Sequence, residues 1–461
     1  KIPILPIGLT YIARASGKHR VRIFDPNLYP LAEVDTRLKE ELSGFQPDVV
    51  GLSVRNIDTT NFRNRHVHYN TVPPMLKLIK ELSPGVKIIL GGSGFSMFAE
   101  IIMNKIPAVD FGIYLEGDES IKELMDNLDS PEKVKGIYLR RNNEVVYTGD
   151  RPLPDFSAMS MPALDPEIVD IKKYIGPSYN IIGIQTKRGC ALNCGYCSYP
   201  FLNGRKIRFR NPVDIVDQIE YMIDNFGMKR FVFVDSVFNV PEPHALKILE
   251  EMIKRSLDVQ FGVWCHIIGI TEDFLRLLKK AGAVQIDFSP DAATNKGLES
   301  LNKGITEADI QNTIRLCRKI KGVGFGFSFF APLPGYNLFD MLKTLSMPFR
   351  IQAALPGCGG GAVSNIRIEP DTAVYDIAVC EGLINEGDKL FPEDEAQLGE
   401  MFYRPRSMNH LSLMVDMFNG FFEGVLKPLG IRFYRILSRI RGKSSPYDQK
   451  TGFVAMQRRV K

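Results

Sequence analysis

Three cysteines fall within eight residues, in the run Cys190-Ala-Leu-Asn-Cys194-Gly-Tyr-Cys197. Clustered thiolates select soft metals, so zinc and iron–sulfur are the two chemistries to weigh. A structural zinc site is usually closed by four Cys or His ligands. No fourth cysteine is near, and no histidine occurs between His68 and His244. Three thiolates at C-x3-C-x2-C spacing can hold three corners of a [4Fe–4S] cube and leave the fourth iron open for a ligand. Three buried free cysteines are the competing reading. The neighbours Lys187, Arg188, Gly189, Ala191, Asn193 and Gly195 argue against it, being small or polar rather than core-like. Tyr196 adds an aromatic ring beside the third ligand.

Composition bounds what this chemistry serves. The 461 residues allow two or three domains, and 44% hydrophobic with 24% charged content is ordinary for a globular protein. A net charge of +5 is too mild to argue for nucleic acid. No apolar run reaches the length of a membrane span, and no signal peptide is visible. The other cysteines, Cys265, Cys317, Cys358 and Cys380, are scattered. Scattered thiols fit a reducing, cytoplasmic setting rather than a disulfide framework.

The elements that must position the cysteines follow from alternation. Before residue 130, short apolar runs at Val21–Asp25, Asp48–Val54, Val86–Gly91 and Val109–Leu115 alternate with helical stretches. Those stretches are Gly8–Ala15, Asp35–Ser43, Pro73–Leu82, Ser96–Asn104 and Glu119–Leu128. This pattern predicts an α/β, doubly wound parallel sheet that binds ligand outside its carboxyl strand ends. Lys1–Pro6 leads straight into a helix, so a further strand is expected upstream of Lys1. Residues 136–148 read as a hairpin turning at Asn142-Asn143.

Alternation resumes with expected strands at Ile181–Thr186, Arg230–Asp235, Val259–Cys265, Ala283–Phe288, Val323–Ala331 and Val363–Ile368. Expected helices lie near 212–226, 243–256, 272–281, 306–320 and 338–350. Six strands are too few for an eight-stranded barrel, and the cysteine run follows the first of them, where catalytic loops of such barrels belong. The expected division is 1–150, a proline-rich linker 151–180, a second domain 181–385 and a mostly helical C-terminal region 386–461. That last region contains Leu411–Leu426 and the basic, amphipathic stretch Ile431–Arg441. The latter is read as a helix packing on the barrel, rather than as a membrane or acidic-partner surface.

The cysteine run with Tyr196 resembles the motif of the radical S-adenosylmethionine (SAM) superfamily, whose partial (β/α)6 TIM-type barrel the six strands match. The resemblance implies that the open iron chelates SAM, which one electron cleaves to methionine and a 5′-deoxyadenosyl radical. An electron donor such as ferredoxin or flavodoxin is then implied, and anaerobic work. Upstream, Pro6–Ala13, Val50–Asp58, Gly91–Ser96 and Glu116–Glu119 resemble the Rossmann-like cobalamin (vitamin B12) domain found ahead of many such enzymes. That likeness implies cofactor contacts at Ser53, Arg55, Asn56, Gly91, Gly92, Ser93, Glu116 and Gly117. Gly91 and Gly92 are expected to let backbone approach a bulky ligand. The family's Asp-x-His-x-x-Gly is absent: Asp25-Pro-Asn27-Leu-Tyr-Pro30 has no histidine. The lower cobalt face is then open, or is approached by Arg55, His66 or His68.

On the barrel, Val232–Asn239, Gln285–Asp291, Phe329–Asn337 and Ile366–Thr372 resemble the family's second, fourth, fifth and closing strand segments. They imply cofactor-binding roles for Asp235, Asn239, Asp287 and Arg367, beside Tyr196 and the metal ligands Cys190, Cys194 and Cys197. Arg367 is expected to pair with a carboxylate of SAM or substrate, or with Glu369. Asp287 is expected to be a buried carboxylate needing a partner.

The combined resemblance implies a cobalamin-dependent radical SAM C-methyltransferase, moving a methyl group by way of methylcobalamin to an unactivated carbon. The compact chain looks like archaeal enzymes that methylate a glutamine of methyl-coenzyme M reductase, a post-translational modification. Its partner is a substrate protein, a peptide or a small molecule. The alternatives are rearrangement or cyclisation by the same cofactors, methylation of a small natural product, and a cobalamin sensor without catalysis. A methylthiotransferase needs a second cluster, and residues 1–130 contain no cysteine.

Overall fold

The computed structural model describes residues 3–159, 161–175 and 182–405. The expected helices at Leu411–Leu426 and Ile431–Arg441 lie outside these residues, as do Lys1 and Pro177.

The first sheet holds β1 (Val49–Ser53), β2 (Lys87–Gly91), β3 (Phe111–Ile113), β4 (Ile137–Arg141) and β5 (Glu144–Tyr147), in that spatial order. β1, β2 and β3 pair in parallel, and the β4–β5 hairpin joins β3 antiparallel. Asn142 and Asn143 turn that hairpin with φ of 49° and 68°, the left-handed pair that matches strand twist. Helices at Ile7–Ala15, Val34–Phe45, Val72–Leu82, Ser93–Met97, Ala99–Lys105 and Asp118–Asp126 complete a Rossmann-like unit. The expected strand at Val21–Asp25 does not form. Its backbone turns away from the sheet, and the Ile23 amide donates to Ile168 of the following connection at 2.8 Å.

The second sheet has six parallel strands in the order β13-β12-β11-β10-β9-β6. These are β6 (Gly183–Ile184), β9 (Arg230–Phe233), β10 (Gln260–Cys265), β11 (Ala283–Asp291), β12 (Gly324–Phe330) and β13 (Gly359–Ser364). The spatial order follows chain order with β6 and β13 as edges, the signature of a partial barrel. Helices at Pro212–Phe226, Glu242–Lys254, Glu272–Lys280, Glu307–Cys317 and Leu338–Ala354 connect the strands. Their apolar faces join one large core that includes Phe231, Phe233, Phe261, Phe288, Phe325 and Phe327. Between β6 and β9 lies a short antiparallel ribbon, β7 (Lys187–Arg188) with β8 (Arg208–Phe209).

The last strand sits four residues earlier than expected. The reason is a competing partner: Ile366–Ile368 exchanges hydrogen bonds with Met401 and Tyr403 instead of extending β13. No helix among the described residues is long and apolar enough to cross a membrane.

Candidate active site

The cysteine loop grows from the carboxyl end of β6 and is fixed at four points. Asp235, just past β9, accepts from the Thr186 amide at 2.8 Å, the Thr186 hydroxyl at 2.5 Å and the Lys187 amide at 3.2 Å. The Cys190 amide donates to Gly204 at 3.0 Å, which closes the ribbon over the loop. Gly189 has φ of +90°, and a Cβ there would meet the Lys206 carbonyl at 2.3 Å, so only glycine fits before the first cysteine. Beyond it, the Gly195 amide donates to Leu301, and the Val374 amide donates to the Gly195 carbonyl.

All three thiols are partly buried and none is in a disulfide. Burial pushes the Cys194 thiol up and the Cys197 thiol up to about 11, and neighbouring cysteines of the trio add to both. Among the described residues, no three His, Cys, Asp or Glu side chains converge on a point that could hold a single metal ion.

A buried polar chain lies against this loop. Lys303 donates to Asp291 at 2.6 Å and to the Cys194 sulfur at 3.5 Å, and the Tyr196 hydroxyl donates to Asp291 at 2.6 Å. Burial opposes charge on Lys303, but Asp291 and Cys194 outweigh it and hold the ammonium above the ordinary lysine range. Asp291 ends β11 at φ of 66°, a conformation rare for a residue with a side chain. Sequence reasoning chose Asp287 as the buried carboxylate of this segment and missed both Asp291 and Lys303. Asp287 is half-buried and accepts from Gln285 at 2.8 Å.

The loop is also fastened to the first sheet. Arg188 donates to Asp118 at 2.6 Å and to Glu116 at 3.0 Å. Arg208, its partner in the ribbon, binds Glu116 through both guanidinium nitrogens. The Arg188 guanidinium also packs on the Phe156 and Tyr11 rings at 4.5 and 5.2 Å. All four charged groups are buried. Glu116 was expected at the cofactor. Its carboxylate instead clamps the sheet's carboxyl edge to the cysteine loop, because two guanidiniums need a buried counter-charge.

Other expected cofactor contacts are likewise held by protein. Arg367 donates to Asp58 at 2.9 Å, a buried ion pair between the two units, rather than to Glu369. Asn239 brackets the backbone of His266: it accepts from the amide at 2.7 Å and donates to the carbonyl at 2.9 Å. Ser93 donates to the Arg55 carbonyl at 2.7 Å. Gly92 has φ of +98°, and a Cβ there would lie 2.7 Å from the Val54 carbonyl, so this backbone approach already requires glycine. Gly91 and Gly117 lie beside Ile113. Ser53, Arg55 and Asn56 are exposed at the carboxyl end of β1. His66 pairs with Glu395 at 3.5 Å and its ring meets His68 edge-on. Asp25 accepts from Asn27 and, at 3.0 Å, from Tyr174.

Residues 184–347 match the radical SAM superfamily model, and residues 3–125 match the B12-binding domain model. The chain joins a B12-binding domain to a radical SAM barrel. Domains of these two kinds call for a [4Fe–4S] cluster, SAM and cobalamin. An uncharacterised methyltransferase of Pyrococcus horikoshii is 25% identical over 68% of the chain and 66% of its own length. The anaerobic magnesium-protoporphyrin IX monomethyl ester cyclase of Cereibacter sphaeroides is 28% identical over 61% of the chain and 46% of its own length. The matches thus span about half to two thirds of these relatives. The fold is that of the radical SAM methyltransferase TsrM from Kitasatospora setae, with a TM-score of 0.72 at 22% identity, covering 83% of this chain and 74% of that one.

Proposed function

We propose that the protein is a cobalamin-dependent radical SAM methyltransferase acting on carbon. The observation that carries this reading is the Glu116 clamp. It joins the carboxyl edge of the B12-binding sheet to Arg188, the residue two before Cys190, an arrangement that would turn both cofactor sites toward one junction. Cys190, Cys194 and Cys197 would hold the cluster. Ser53, Arg55 and Asn56 would meet cobalamin from the end of β1. When bound, the cluster and SAM supply a carbon-centred radical, and cobalamin carries the methyl group.

The chain's own residues position and enclose. Asp235 and Asn239 fix loop backbones at the ends of β6 and β10. Arg188 and Arg208 hold the ribbon, and Arg367 with Asp58 closes the far side of the junction. These contacts would help to keep water from the reacting centre. The acceptor suggested by the sequence is a glutamine side chain in a protein such as methyl-coenzyme M reductase. The cyclase relative favours one second reading, ring formation or rearrangement without methyl transfer.

The test is anaerobic reconstitution with iron, sulfide, cobalamin and methyl-labelled SAM, with glutamine-containing peptides as acceptors. Labelled peptide formed together with 5′-deoxyadenosine is expected. Deoxyadenosine without label in any product would overturn the methyltransferase reading in favour of the second.

A further inference from the structure

His266 follows directly on β10, at the carboxyl end of the third barrel strand. Its side chain is 4% exposed. The ring's Nδ1 accepts from the Ile268 amide at 3.1 Å, so in the neutral imidazole the hydrogen is on Nε2. That Nε2 is buried and has no hydrogen-bond partner among the described residues. The ring cannot shift easily to find one, because Asn239 holds the His266 amide and carbonyl together. Burial, with the Lys303 charge as the second cause, keeps the ring neutral by lowering its pKa to about 4. Lys303 in turn touches Cys194. A buried, pre-oriented donor left without an acceptor is costly unless a ligand supplies one.

We infer that His266 is a binding residue of the reaction cavity, its Nε2–H donating to an oxygen or nitrogen acceptor of SAM. SAM is the chosen source because His266 stands at the carboxyl end of β10, in the same parallel sheet and at the same strand ends from which the cysteine loop leaves β6. The inference rests on the proposed SAM chemistry of that loop. It also gives Asn239 a different part from the one expected: a positioning residue that holds His266.

The experiment measures S-adenosylhomocysteine binding to the anaerobically reconstituted holoenzyme, with iron content and melting temperature as controls. Glutamine can place an N–H near the Nε2 position, whereas asparagine reaches only the Nδ1 position. His266→Gln is expected to bind within about threefold of the wild type, and His266→Asn about tenfold more weakly. Wild-type affinity in His266→Asn would overturn the inference. Equal weakening in both variants would overturn it too, showing a role in the turn with Ile268 instead. Failure of the wild-type holoenzyme to bind would sink the radical SAM reading itself, which separates the two outcomes.

Discussion

Lys303 reaches the sulfur of Cys194 across 3.5 Å, although 109 residues separate them in the chain. The same ammonium neutralises Asp291, which also takes the Tyr196 hydroxyl. One buried cation thus ties the fourth barrel strand to the metal-binding loop.

Replacing Lys303 by Met leaves Asp291 buried with no cation. Breaking one side of a buried pair costs about 3–5 kcal/mol, so a clear drop in thermal stability is expected. The double variant Lys303→Met with Asp291→Asn removes both charges and is expected to recover at least about half of that loss. Equal melting temperatures for the single and double variants would contradict the pairing.

Glu116 serves two guanidiniums, so Glu116→Ala strands the buried Arg208 and leaves Arg188 with Asp118 as its remaining counter-charge. The expected loss is again about 3–5 kcal/mol. Because the clamp joins two units, the loss is expected to appear as faster proteolysis in the 151–180 connection before the barrel melts. Proteolysis at the wild-type rate would show that the clamp does not hold the units together.

Two glycines with left-handed backbones separate conformational strain from crowding. Gly227 at φ of +67° has nothing within 4 Å of a built Cβ, whereas Gly189 at +90° meets the Lys206 carbonyl at 2.3 Å. Gly227→Ala is expected to cost about 1 kcal/mol. Gly189→Ala must also move the ribbon, so a larger cost and a fall in bound iron after reconstitution are expected. Full iron loading of Gly189→Ala, measured per chain, would argue that the loop tolerates the shift.

Glu369 follows the Arg367–Asp58 pair, and burial lifts its carboxyl from the usual 4.5 to about 7, Arg367 opposing and Asp58 adding. Its folded pKa is raised, so the stability it contributes is complete below about 4.5 and is lost as pH rises through about 7. Glu369→Gln removes that titration and is expected to stabilise the protein at pH 8 relative to pH 5, by about 1–3 kcal/mol after discount for partial exposure. Comparing variant with wild type at each pH cancels His244 and His266, whose pKa values burial lowers to about 4. A pH-independent difference in denaturant midpoints would refute this assignment.

The cysteine spacing, the helix and strand alternation and the Asn142-Asn143 turn were legible in the sequence because each is a local property. Spacing of thiols sets which metals they can hold, and a left-handed turn needs its residue types wherever it lies. Likewise β6, β9, β10, β11 and β12 fall where apolar runs foretold them, since a buried parallel strand must be apolar on both faces. Val21–Asp25 and the last strand were misjudged because pairing partners far along the chain decided them: Ile168 takes Ile23, and Met401 with Tyr403 takes Ile366–Ile368. The site divides the same way. The sequence alone picked out the three clustered cysteines and the two domain types. Only the tertiary structure decided that Glu116 and Arg367 fasten the units, that Asp291 rather than Asp287 is the buried carboxylate, that Lys303 lies against Cys194, and that the Nδ1 of His266 is taken by Ile268. The physical reason is that a buried charge or donor is defined by what surrounds it, and those surroundings come from residues tens to hundreds of positions away.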